Sequence, residues 1–286
     1  MRVNAQTSFY LLLGNPVGHS LSPTLHNAAF QHLKLNSIYL ASLVEPARIG
    51  EAVAGLRALS VAGANVTTPY KEAVLPYLDE VSNEAQLIRS VNTIVNRDGT
   101  LTGSSTDGPG FYRCLRELIP FDFGGSSRQS IMIIGAGGAA RAVAFTLAQQ
   151  GAHEIIIVNR TPESAGALAE LLQRSIPATR VAVLPLAAES IMQVLPRCKI
   201  IVYCLQGDSP VLISAFNGSS FGCENAFLFD LRYSPGRTVV MKAFEARGGS
   251  AFNGKGMLFW QAALAFELFT GHQAPIEAMK RAFGSA

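Results

Sequence analysis

Gly135-Ala136-Gly137-Gly138-Ala139-Ala140 is a G-x-G-x-x-A fingerprint that follows the apolar run Ile131–Ile134 and opens a helical pattern. In that context the glycines permit a tight turn and let backbone approach a pyrophosphate, whose charge rests on free N–H groups at the positive end of the helix. Where an NAD-binding chain usually carries an acidic residue for the ribose hydroxyls, about 20 residues further on, this chain has Asn159-Arg160-Thr161. A guanidinium there offers forked donors to a 2′-phosphate and no carboxylate opposes it, so NADP is expected, with NAD as the weaker alternative. A solvated loop arginine is the plainer alternative for Arg160. Three more strings resist explanation by packing. Gly14-Asn15-Pro16-Val17-Gly18-His19-Ser20-Leu21-Ser22-Pro23 is crowded with turn formers, Gly63-Ala64-Asn65-Val66-Thr67-Thr68-Pro69-Tyr70-Lys71 ends a short apolar segment, and Val91-Asn92-Thr93 is followed by Thr106-Asp107-Gly108. Polar side chains gathered at strand ends are where an open α/β sheet binds its ligand.

The elements that must hold these residues follow from periodicity. Ile131–Ile134, Ile155–Val158, Val181–Leu184, Ile200–Cys204 and Ala226–Phe229 are short apolar runs alternating with helical patterns, which predicts a parallel sheet of strand-helix-strand units. The first hundred residues alternate less cleanly: strands near Tyr10–Leu13, Ser37–Leu43, Gly63–Val66 and Val91–Val95, with helices after Ser22 and around Ile49–Leu59. The polar, Gly-rich stretch 122–128 reads as a junction, and the segment from ~254 onward as helical.

A chain of 286 residues suggests two domains at roughly 150 residues each, and 49% hydrophobic with 15% charged residues is the balance of a globular protein. Its net charge of +3 is spread along the chain with no basic run, which argues against nucleic acid. No apolar stretch approaches the roughly 20 residues of a membrane span, and the start lacks a secretory pattern, so the expected location is the cytoplasm. Cys114, Cys198, Cys204 and Cys223 match no zinc spacing and read as reduced packing residues; no metal is expected.

Taken together the strings resemble the shikimate dehydrogenase family, nearly end to end. HSLSP, NVTTPYK, SVNT, STDGPGF, GAGGAARA, NRT, DLRYSP and NGKGML with Gln261 follow in the family's order. The resemblance implies that Ser20 and Ser22, helped by Tyr233, bind a substrate carboxylate, and that Asn65, Thr67, Asn92 and Gln261 hydrogen-bond ring hydroxyls. It implies that Gly135, Ala136, Gly137, Gly138 and Ala139 cradle NADP, that Asn159, Arg160 and Thr161 meet its adenosine end, and that Leu231 and Gly254 lie along the nicotinamide. Lys71 and Asp107 match the family's catalytic pair. Removing hydride from a carbinol carbon requires the hydroxyl proton to leave in concert, so Lys71 is expected to polarise the reacting oxygen and relay its proton while Asp107 orients both. Without the family match a surface ion pair explains these two residues equally well. His19 and His26 read as bracing and packing residues rather than acid–base groups.

Four positions depart from the family. Ser105 stands for an asparagine beside Asp107; the stretch 202–208 brings in Asp208, expected to oppose an anionic cofactor; Ser164 replaces a second arginine of the 2′-phosphate loop; and Arg89 is expected to place a charge near the substrate strand. These changes leave open a paralogue acting on quinate or an aminated relative of shikimate, and, from another class, a non-catalytic metabolite sensor. The expected architecture is α/β. Residues 1–110 and 250–286 form a substrate domain, residues 111–249 a Rossmann-like NADP domain, and the active site lies in the cleft, in a monomer or homodimer.

Overall fold

The computed structural model describes residues 3–120, 129–218, 223–234 and 236–284; the expected junction at 122–128 lies outside them. The chain separates into two compact units, one comprising Met1–Phe111 with Leu258–Ala286, the other Tyr112–Met257.

In the first unit β1 (Ser8–Gly14), β2 (Ser37–Leu43), β3 (Gly63–Val66), β4 (Glu80–Val81), β5 (Thr93–Arg97) and β6 (Thr100–Ser104) form a mixed sheet ordered β2-β1-β3-β5-β6-β4. Its helices α1 (Ser22–His32), α2 (Ile49–Ala58) and α3 (Asn83–Ile88) are followed by α4 (Asp107–Leu118). Strands β2 and β3 flank β1 in parallel, which aligns the C-terminal ends of β1 and β3 where the polar strings begin. Successive side chains of β1 leave opposite faces of the sheet. Tyr10 and Leu12 pack with Leu25, Phe30, Phe266 and Phe269, whereas Leu13 packs with Val53, Leu56 and Val66.

The second unit is an all-parallel sheet of β7 (Ser130–Ile134), β8 (Glu154–Asn159), β9 (Arg180–Pro185), β10 (Cys198–Tyr203), β11 (Phe227–Asp230) and β12 (Ser250–Asn253), ordered β12-β11-β10-β7-β8-β9. Counted from β7 this is the 3-2-1-4-5-6 order of a doubly wound nucleotide fold, which reverses between β7 and β10. Helices α5 (Gly138–Gln149), α6 (Pro162–Ser175), α7 (Ala188–Val194), α8 (Pro210–Gly218) and α9 (Val239–Glu245) connect the strands. With both faces covered, β7 and β8 are apolar without alternation, and Ile131 to Ile134 and Ile155 to Val158 are all buried. The chain then continues through α10 (Lys255–Thr270) and α11 (Ile276–Gly284). No helix among the described residues is long and apolar enough to cross a membrane.

The five strands read from the sequence between ~131 and ~230 fall within one or two residues of their observed ends. Two segments differ. The strand expected at Val91–Val95 is Thr93–Arg97, because it forms an antiparallel hairpin with β6 that periodicity did not reveal. The turn is Asp98-Gly99 with φ +51 and +90, the positive pair a tight hairpin needs. Ser250–Asn253, expected with the substrate domain, pairs with β11 in the second unit. The unit boundary falls inside α10 rather than before it, and likewise inside α4.

Candidate active site

In the first unit the polar strings converge. Lys71, beyond the end of β3, and Asp107, the first residue of α4, are 36 positions apart, and Lys71 Nζ donates to Asp107 Oδ2 at 2.5 Å. Their side chains are 19% and 5% exposed, so the pair is not the solvated surface contact that sequence alone allowed. Asp107 Oδ1 accepts from Asn92 Nδ2 at 2.9 Å, and the same nitrogen lies 3.2 Å from Gln261 Oε1 on α10. Asn92 Oδ1 in turn accepts from Thr106 N at 2.8 Å and Thr93 Oγ1 at 2.9 Å, so the amide is engaged at both ends. Gln261 is held close because α4 lacks a side chain at Gly110, where a Cβ would sit 2.7 Å from Gln261 N.

Asn65 on β3 donates from Nδ2 to Asn92 O at 3.0 Å and to Thr93 Oγ1 at 3.1 Å, while Tyr39 on β2 donates to its Oδ1 at 2.8 Å. Burial pushes the Tyr39 phenol well above its ordinary range, only partly offset by a hydrogen bond with Ser22. Ser22 is buried at the start of α1, and its N–H donates to Ser20 Oγ at 3.2 Å. Thr67 is half-buried just beyond β3, with its N–H on Leu13 O at 2.9 Å. His26 is fully buried, its ring stacked on Tyr39 at 4.3 Å between centroids, and burial lowers its pKa to about 3. It packs, as expected, and does not titrate near neutrality. His19 is exposed on the loop that carries Ser20.

In the second unit the glycine turn sits where the strand order reverses. Gly135 follows β7 with φ +115, its N–H bonds Val158 O at 2.8 Å, and a Cβ there would press on Cys204 and Leu205 beyond β10, each at 3.2 Å. At Gly137 a Cβ would meet nothing within 4 Å, and no side chain caps α5. Among the described residues the first-turn amides of Gly138, Ala139 and Ala140 have no side-chain cap, which fits a dinucleotide pyrophosphate there. At the end of β8, Asn159 Nδ2 donates to Thr161 O at 3.0 Å, and the intervening Arg160 is exposed with no ion pair among the described residues. Gly254 packs on the backbone of the loop after β11: its N–H bonds Arg232 O at 2.9 Å, and a Cβ would collide with Leu231 O. Tyr233 is half-buried on the same loop.

Three of the departures have local answers that the sequence did not disclose. Asp208 is partly offset, because Arg232 Nη2 pairs with it at 3.0 Å while also pairing with the fully buried Asp230 at 2.6 Å, one guanidinium shared between two carboxylates. Arg89 caps α3 in a left-handed conformation, is 67% exposed, and donates to Glu72 at 2.9 Å, so its charge goes to solvent instead of the substrate strand. Ser105 keeps a buried hydroxyl without a hydrogen-bond partner among the described residues, and the amide beside Asp107 comes from Asn92. Tyr39 was missed, and Thr93, Thr106 and Arg232, though inside the quoted strings, were given no role of their own, because each acts through neighbours that spacing along the chain does not signal.

A glycine turn at the switch point of a parallel sheet is how dinucleotide-binding proteins hold a pyrophosphate. A partly buried ammonium–carboxylate pair backed by the Asn92 and Gln261 amides is suited to taking up a carbinol proton, and the two features belong to a two-unit α/β dehydrogenase. Comparison with known proteins carries this to the family. Models of the shikimate dehydrogenase substrate binding domain, the shikimate / quinate 5-dehydrogenase and the shikimate 5′-dehydrogenase C-terminal domain match residues 12–94, 117–233 and 254–282. The shikimate dehydrogenase (NADP(+)) of Methanopyrus kandleri is 43% identical over 286 residues, 98% of this chain and 96% of that protein. The crystal structure of the Thermus thermophilus shikimate 5-dehydrogenase with NADP(H) and shikimate has a TM-score of 0.81 at 33% identity, over 98% of this chain and 99% of that one. The quinate dehydrogenase of Corynebacterium glutamicum in complex with NAD reaches 0.84 at 27% identity, over 98% and 99%. The chain belongs to the shikimate dehydrogenase family.

Proposed function

We propose that this chain is a cytoplasmic NADP-dependent dehydrogenase that interconverts shikimate and 3-dehydroshikimate by reversible hydride transfer at ring C3. The observation that carries the reading is the Lys71–Asp107 pair, sheltered from solvent and tied through Asn92 to Gln261. Ser20 and Ser22, with Tyr233, bind the carboxylate; Asn65, Thr67, Asn92 and Gln261 surround the ring hydroxyls. Lys71 polarises the C3 oxygen and passes its proton to solvent as the C3–H pair leaves as hydride, and Asp107 fixes the ammonium's direction. The α5 turn would hold NADP, which supplies the hydride acceptor; Arg160 would pair with its 2′-phosphate, and Leu231 and Gly254 would line the nicotinamide. Mixing the protein with shikimate and NADP⁺ should raise the NADPH absorbance band, and quinate or NAD⁺ should be slower substitutes. Faster turnover of quinate with NAD⁺ would assign the chain to the quinate branch, and no turnover of either acid would refute a dehydrogenase.

A further inference from the structure

The hydrogen bonds beneath the substrate anchors run in one direction. A carboxylate only accepts, so Asn92 turns Nδ2 to Asp107 and its Oδ1 faces Thr93. The single Thr93 proton goes to that oxygen, which leaves Thr93 Oγ1 a lone pair for Asn65 Nδ2 at 3.1 Å; the other Nδ2 hydrogen is taken by Asn92 O at 3.0 Å. Asn65 has no donor left. Its Oδ1 accepts from the Tyr39 hydroxyl at 2.8 Å and keeps one lone pair. The Tyr39 ring cannot turn away, because it is fully buried and stacked on His26 at an interplanar angle of 3°, and with the Ser22 hydroxyl donating to its oxygen its own O–H is left for Asn65.

We propose that this directed chain makes Asn65 an acceptor-only subsite, with Tyr39 as its positioning residue. The ring substituent bound there must donate its hydrogen bond: a hydroxyl or protonated amine is admitted, and a substituent that can only accept is rejected. The inference rests on the shikimate reading and deepens it.

The test is steady-state kinetics of the full chain with shikimate and its 4-deoxy-4-fluoro and 5-deoxy-5-fluoro analogues at saturating NADP⁺. Fluorine is small and cannot donate, so at one of the two positions KM should rise about tenfold or more, as two acceptors are forced to face each other. Asn65→Ala should bring that analogue to within about threefold of shikimate. Tyr39→Phe keeps the ring stack and should raise the shikimate KM about fivefold, with kcat and the NADP⁺ KM unmoved. A merely structural loss would depress kcat and leave the hydroxyl-to-fluorine ratio alone. Tolerance of fluorine at both positions, or a discrimination that survives Asn65→Ala, overturns the proposal; if that variant does not fold, the wild-type ratio decides alone. A wild-type chain that turns over shikimate yet accepts both analogues equally well sinks only this inference, whereas one inactive on shikimate sinks the functional reading beneath it.

Discussion

Replacing Lys71 by alanine removes one charge from the first unit and nothing from the glycine turn. The Nζ ammonium donates to Asp107 Oδ2 and has further N–H groups for a reacting oxygen. A unit charge about 3 Å from a developing oxyanion interacts by roughly 5 kcal/mol at an effective dielectric constant near 20. With Lys71 19% exposed, water entering the vacated space restores part of that. A net loss of about 3–5 kcal/mol corresponds to a fall in kcat of roughly 10²–10⁴. Asp107 retains its bond from Asn92, so the fold should hold, and NADPH binding followed by quenching of its fluorescence should be unchanged. Initial rates at saturating substrates, compared with Lys71→Arg, separate charge from geometry. A kcat within about threefold of the wild type would remove Lys71 from the mechanism and the pair from its catalytic role.

Arg160→Ala should raise the KM for NADP⁺ well above any change for NAD⁺, and equal effects on both cofactors would refute its pairing with a 2′-phosphate. Gly254→Ala drives a Cβ into Leu231 O, so the loop backbone must shift. A cost of roughly 1–3 kcal/mol in stability should accompany a raised NADP⁺ KM, and an unchanged melting temperature and KM would show that the loop yields freely. His26 has a pKa lowered to about 3 in the folded chain, below its unfolded value near 6.5. The unfolded chain therefore takes up the proton first, and stability that is full above pH 6.5 is lost as pH falls from there toward 3. Between pH 7 and pH 5 the wild type should lose about 2 kcal/mol more than His26→Phe in urea titrations; equal losses would mean the ring is hydrated.

How much was legible beforehand depended on how local each constraint is. Gly135 and Gly137 announce themselves because the fingerprint places them two residues apart, although the turn's own geometry requires glycine only at Gly135, and β7 and β8 because strands buried on both faces are apolar throughout. The hairpin of β5 and β6 was missed even though Asp98-Gly99 is a strong turn signal, since Thr100–Ser104 is too polar to read as a strand. Arg232 shows the opposite limit. It partly offsets the charge of Asp208 from 24 positions away, and only the loops after β10 and β11 bring the two together. The pairing of Lys71 with Asp107 was available from the resemblance, not from spacing, because the register of β3, β5 and β6 decides which residues meet.

The core shared by Tyr10, Leu12, Leu25 and Phe30 is completed by Phe259, Phe266, Phe269 and Met279. During synthesis the second unit, Tyr112–Met257, leaves the ribosome with all six of its strands in sequence, ready to assemble. The earlier segment must wait with one apolar face of β1 and α1 uncovered until residues 258–284 emerge and bring Gln261 with them. Folding during synthesis would therefore complete the second unit before the first, whose apolar face of β1 and α1 stays open until α10 and α11 arrive.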